Sequence, residues 1–253
     1  MTSWAAIDEE LARWRVAGRE AVLWWRDDDA ADATPALDRL LGVQRKYGVP
    51  LALAVVPADA TPALGVRLAQ ASGIDLLQHG YGHTNHAPAT DKKSELGPHR
   101  PAMVVLGELG AGWLALEQLF GAYLLPVLVP PWNRIAPGLV PALPEIGYRG
   151  LSTFGIRQRP SPVPGLMQVN THVDLMDWQT RGFAGEEAVL GALAQALEAA
   201  RTATKEPIGL LSHHLAMDGL AWDFLQSFWG RVGSMPGVRI TPANELFARG
   251  ARA

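Results

Sequence analysis

The sequence predicts a single α/β domain of the β/α-barrel type, spanning residues 1–253. Three observations lead there. Short apolar runs alternate with helix signatures along the whole 253-residue chain. Seven such runs are visible, and seven or eight largely parallel strands in a chain of this length is the size of a β/α barrel. No glycine-rich dinucleotide loop follows the first run, where Trp25-Arg26-Asp27-Asp28-Asp29-Ala30 stands instead, so a doubly wound open sheet is the weaker alternative.

The apolar runs fall at 21–25, 51–56, 74–77, 124–129, 166–169, 207–211 and 238–240. Thr34-Pro35, Thr61-Pro62 and Thr241-Pro242 each read as an N-cap followed by proline at the first helical position. Leu37, Leu40, Leu41 and Gln44 keep a helical spacing, as do Leu190, Leu193, Leu197 and Arg201. Gly48-Val49-Pro50 ends the first of these helices and starts the next strand.

Composition narrows the functional classes. Hydrophobic residues make up 48% and charged residues 19%, enough to bury a real core. The net charge of −3 speaks against a nucleic-acid footprint. No apolar run is expected to reach the roughly 18 residues of a membrane span. The N-terminus lacks a basic stretch followed by an apolar one, so a cytoplasmic location is expected. With 0 cysteines, thiol chemistry is excluded and any metal must be held by His, Asp or Glu.

The polar clusters each follow an apolar run. They are Arg26 to Asp29, Gln78 to His86, Pro130 to Arg134, and Ser212 to His214. In β/α barrels that strand end carries the active site. Five of the 7 histidines lie in these clusters. Adjacent carboxylates repel, and burying them needs a cation nearby; an acidic turn with an aspartate N-cap is the plainer alternative. His79 and His83 can face one point, and with a carboxylate from a neighbouring strand they form a two-His, one-carboxylate metal site with open positions. His86 is an alternative ligand to His79. The segment HGYGH lacks the glutamate of HExxH, and Gly80 and Gly82 disfavour a helix there.

These residues together resemble the polysaccharide deacetylase, or NodB-like, family of carbohydrate esterases. Five short motifs have counterparts in order: the aspartate pair within RDDD, His79 with His83, Val129-Pro130-Pro131-Trp132, Asp177-Trp178, and Leu210-Leu211-Ser212-His213. The resemblance implies a distorted β/α barrel, one divalent metal ion (usually zinc) and hydrolysis of an N-acetyl or O-acetyl group. It implies Asp29, His79 and His83 as metal ligands, with Asp28 as the base; the alternative register makes Asp27 the base and Asp28 the ligand. His213 is the expected acid, and Asp177 joins the catalytic set. The family's arginine before the proline pair is Val129 here, so holding the base falls to Arg26 or Arg134, or to neither. Trp132, Trp178, Pro131, Asn133 and His214 are expected to line the substrate site.

The expected chemistry is metal-assisted hydrolysis with an aspartate base, an opposed histidine acid and an oxyanion donor from the backbone near Trp132. The expected partner is a carbohydrate or other small N-acylated substrate. Competing readings are a hydrolase of another C–N amide bond, allantoinase-like, or a catalytically silent sugar-binding protein, for which the missing arginine is the ground. Trp24 and Trp25 read as core, His99 and His172 as ordinary loop histidines. Residues 87–101 read as a long solvated loop at the active-site face, where Lys92 or Lys93 could meet an anionic substrate.

Overall fold

The computed structural model describes residues 4–248. The chain runs α1 (Trp4–Val16), β1 (Ala21–Ala30), α2 (Pro35–Tyr47), β2 (Leu51–Val55), α3 (Pro62–Leu68), β3 (Ile74–His79), α4 (Ala102–Phe120) and β4 (Leu124–Val129). Short strands follow: β5 (Gly150–Leu151), β6 (Met167–Gln168), β7 (Val173–Asp174), and the antiparallel pair β8 (Met176–Asp177) and β9 (Gly182–Phe183). The chain then runs α5 (Glu186–Ala199), β10 (Ile208–Ser212), α6 (Gly219–Val232), β11 (Val238–Ile240) and α7 (Ala243–Ala248).

Strand order is β6-β5-β4-β3-β2-β1-β10-β7, with β11 added beside the start of β1. All pairs in this sheet are parallel. The path runs from β6 to β7, which do not pair with each other among the described residues, and a Phe154–Thr171 bridge prolongs the β5–β6 pairing. The barrel is therefore distorted, with eight parallel strands along its path.

Side-chain alternation along β1 explains both the core and the site. Trp24 packs with Ala52, Leu77, Val127, Leu246 and Phe247 on one face, where α7 sits. Trp25 packs against the helical layer with Leu37, Leu190 and Trp229 on the other. Both tryptophans are buried, as the sequence predicts, and each such burial contributes roughly 1.5–3 kcal/mol.

Thr34 and Thr61 accept hydrogen bonds from Leu37 N and Leu64 N, so both predicted caps form. Gly48 closes α2 in the left-handed region at φ 62°. Thr241 differs from expectation: its Oγ1 is buried without a partner, and Asp75 of β3 accepts the Asn244 N–H at 2.9 Å instead. α4 also departs from the reading of the apolar runs. By length and composition it and the following turn could cross a membrane, yet Val105, Leu109, Leu116 and Phe120 form a face buried against the barrel.

Candidate active site

The three aspartates of β1 are sorted by the pleat and by one irregularity. Asp27 follows Trp25 on the helical side. Its carboxylate accepts from Ser212 Oγ at 2.6 Å and His214 N at 3.1 Å, and it faces His214 Nδ1 at 2.5 Å. Arg26 and Asp28 follow Trp24 on the opposite side. Between Asp27 and Ala30 the pairing with β2 slips, so that Asp28 and Asp29 oppose a single residue. Asp29 sits at φ 73° in this bulge. A bulge re-aims a side chain, which lets neighbours Asp28 and Asp29 serve the same mouth.

Asp29 Oδ1 is buried and makes no hydrogen bond. It lies 3.1 Å from His79 Nε2 and 3.3 Å from His83 Nε2. Val129 O lies 3.0 Å from His79 Nδ1, and a carbonyl can only accept, so the proton sits on Nδ1. In the neutral ring Nε2 then turns its lone pair toward a carboxylate oxygen. That arrangement is repulsive until a proton or a cation stands between them. The donor set of one carboxylate and two imidazoles, all within 4.8 Å of one another, fits a divalent metal ion of the zinc type. His86 is outside this cluster.

The charges respond accordingly. Burial works to raise the Asp29 pKa, but the close approach and charge of His79, then the charges of His213 and His83, hold it well below the ordinary carboxylate range. Burial opposes the His79 imidazolium, yet Asp28 and Asp29 outweigh it and raise its pKa. Burial dominates at His83 and lowers it.

Arg26 is wholly buried and grips Asp28 with two bonds of 2.9 Å. Its remaining donors reach Ser152 Oγ and Asn133 Oδ1, each at 2.6 Å. Arg134 points elsewhere, donating to Lys93 O at 2.8 Å. Of the two arginines expected for this work, the structure places Arg26 on Asp28.

The loop bearing His83 is braced by a residue the sequence reading missed. Glu95, buried in the long loop 87–101, accepts from Tyr81 N at 3.1 Å and Gly82 N at 2.8 Å. A Cβ on Gly80, which has φ 56°, would run into this carboxylate and the Pro131 ring. The Trp132 ring packs against His83 at 4.4 Å, tilted by 53°. Asp29, His83, Trp132 and Asn133 all have positive φ; such strain concentrates where the surrounding structure fixes a functional geometry.

On the β10–β7 flank, His213 faces Trp178 edge-on at 4.6 Å and Asp174 Oδ1 at 4.0 Å. Asp174 is fixed by Met176 N and Trp178 Nε1, each at 2.9 Å. Burial raises its pKa, with His213 pulling the other way. Asp177 is thus displaced from its expected role. Its carboxylate accepts from Gln179 N at 2.9 Å and Thr180 Oγ1 at 3.0 Å in the turn between β8 and β9. The pairing of β7 with β10, which sets Asp174 beside Leu211, brings Asp174 rather than Asp177 toward His213. His214, expected to touch substrate, has its ring buried against Asp27; Asp27 outweighs burial and raises its pKa.

The chain has the polysaccharide-deacetylase fold. A Mycobacterium smegmatis protein assigned as a polysaccharide deacetylase is similar at TM-score 0.63 and 18% identity, covering 92% of this chain and 91% of that one. The peptidoglycan deacetylase PdaC from Bacillus subtilis gives TM-score 0.59 at 14% identity, covering 92% of each chain. A family 4 acetyl xylan esterase from Clostridium thermocellum, solved with a cobalt ion, gives TM-score 0.51 at 15% identity over 90% of this chain and 91% of that one. No family model and no curated protein matches the sequence.

Proposed function

We propose that this polysaccharide-deacetylase-fold protein is a metal-dependent hydrolase that removes N-acetyl or O-acetyl groups from a carbohydrate. The observation that carries the reading is the convergence of Asp29 Oδ1 on His79 Nε2 and His83 Nε2 at 3.1 and 3.3 Å, beside a second, arginine-held aspartate. Asp29, His79 and His83 would hold the ion. When bound, a divalent cation there supplies Lewis-acid polarisation of a carbonyl and acidifies water.

The chain's own residues do the rest. Asp28, fixed in orientation by Arg26, accepts the proton of the attacking water. His213, oriented across the mouth by Asp174 and Trp178, gives a proton to the departing nitrogen or oxygen as its bond to the acyl carbon breaks. Trp178, with half its surface exposed, walls the acyl group from solvent. Arg26 supplies from β1 the guanidinium that Val129 cannot, which removes the ground for a silent binding protein.

Metal analysis of purified protein, joined to an acetate-release screen over N-acetylated and O-acetylated sugars, tests this. One divalent ion per chain and released acetate are expected. Protein that binds no divalent ion, or metal-loaded protein that releases no acetate from any of them, would overturn it.

A further inference from the structure

Beside the candidate site, over the C-terminal ends of β4, β5 and β6, lies a cavity of about 690 Å³. That is the size of a ligand pocket. Asn133 and Thr153 line it, and both also contact Arg26, Asn133 through Oδ1 and Thr153 through its carbonyl. One guanidinium therefore separates this cavity from Asp28. By strand order it flanks the metal-ligand cluster on the side opposite His213.

Its charge is the unusual feature. Arg134, Arg157 and Arg159 line it, and no carboxylate does, in a chain whose net charge is −3. Arg157 is neutralised by Glu206 at 3.4 Å. Arg134 spends one nitrogen on the uncharged Lys93 carbonyl, leaving its charge uncompensated. Arg159, which is exposed, lines the same cavity. Lys92 joins Arg134 in an adjoining cleft, which Asp91 also lines, its carboxylate 3.7 Å from His99 Nε2. Phe154 and Ile156, 45% and 63% exposed, offer apolar surface at the same mouth, the kind of surface that covers the C–H face of a sugar ring.

We infer that the substrate carries an anionic group, a carboxylate or a phosphate ester, outside the scissile bond, and that Arg134 and Arg159 bind it in this cavity. The inference rests on the deacetylase reading for the scissile group, and its test is read by binding so that the two can fail separately. A guanidinium forks onto either anion through charge-assisted hydrogen bonds.

The test compares three probes on the full chain by isothermal titration: N-acetylglucosamine, N-acetylmuramic acid (carboxylate) and N-acetylglucosamine 1-phosphate. At least one anionic sugar is expected to bind about tenfold or more tightly than the neutral one. The arm that gains identifies carboxylate or phosphate. The Arg134→Gln/Arg159→Gln double variant should lose that preference, and Arg45→Gln, on α2, should keep it. Equal affinity for all three sugars, binding of none, or a preference that survives in the double variant would overturn the inference. Absence of acetate release with the anionic preference intact would count against the deacetylase reading alone.

Discussion

Replacing Arg26 by methionine removes the guanidinium but keeps an unbranched stem in the same space. Five contacts go with it: two to Asp28, and one each to Ser152 Oγ, Asn133 Oδ1 and the Thr153 carbonyl. Asp28 is 1% exposed, so its carboxylate cannot recover those donors from water. Removing one partner of a buried ion pair costs about 3–5 kcal/mol, because the other charge is left uncompensated. Against a total stability of about 5–15 kcal/mol the variant still folds. Asp28→Asn on its own leaves Arg26 without its charged partner. The Arg26→Met/Asp28→Asn double variant removes both charges and should cost about 2–3 kcal/mol less than the sum of the single changes. Arg26→Lys should fall between wild type and Arg26→Met, since a point charge cannot grip both oxygens. Urea unfolding of metal-free protein, with unchanged denaturant slope, reads all four variants. An Arg26→Met cost below about 1 kcal/mol, or additivity across the cycle, would refute the view that Arg26 holds Asp28.

Other expectations follow from the same geometry. Asp28→Asn should retain metal and lose turnover, whereas Asp29→Ala should lose both; loss of metal in Asp28→Asn together with loss of turnover alone in Asp27→Asn would show the earlier register to be right. The rate should fall on both sides of a pH optimum, and His213→Ala should abolish the alkaline fall and most of the rate while keeping metal content; an unchanged pH profile would remove His213 as the acid. His214 has a folded pKa raised above the model-peptide 6.5 by Asp27, so its stabilisation is fully present below about pH 6.5 and is lost as pH rises through the folded value. The stability gap between wild type and His214→Gln should therefore narrow toward alkaline pH, and a constant gap between about pH 5 and 9 in thermal unfolding would contradict the Asp27–His214 pair.

Much of this was legible in the chain because the barrel's long strands are short apolar runs with polar ends. The runs at 51–56, 74–77, 124–129, 207–211 and 238–240 correspond to β2, β3, β4, β10 and β11. β1 extends past its apolar run through all three aspartates, because Arg26 satisfies Asp28 on the inner face and Ser212 satisfies Asp27 on the helical face. The two-residue strands β5 and β7 carry no periodicity to read; they exist only by pairing with β4 and β10. That is also why Asp174 was missed: its place opposite His213 follows from the register Leu211–Asp174, a contact between distant parts of the chain. Glu95 was hidden in the same way, as a carboxylate in a polar loop whose partners are the backbone amides of Tyr81 and Gly82. The choice of Arg26 over Arg134 depended on which side of β1 faces the barrel, and the Asp29 bulge on how β1 and β2 slip.

The central claim is that Asp29, His79 and His83 hold one divalent ion on which deacylation depends. The most direct measurement is acetate release from an N-acetylated sugar by chelator-treated protein titrated with zinc, run on wild type, His83→Ala and His99→Ala. The account predicts no release from stripped protein and restoration that saturates at one equivalent of zinc for wild type and His99→Ala, with none for His83→Ala. Acetate release that survives chelation, or full zinc-dependent activity in His83→Ala, would contradict it.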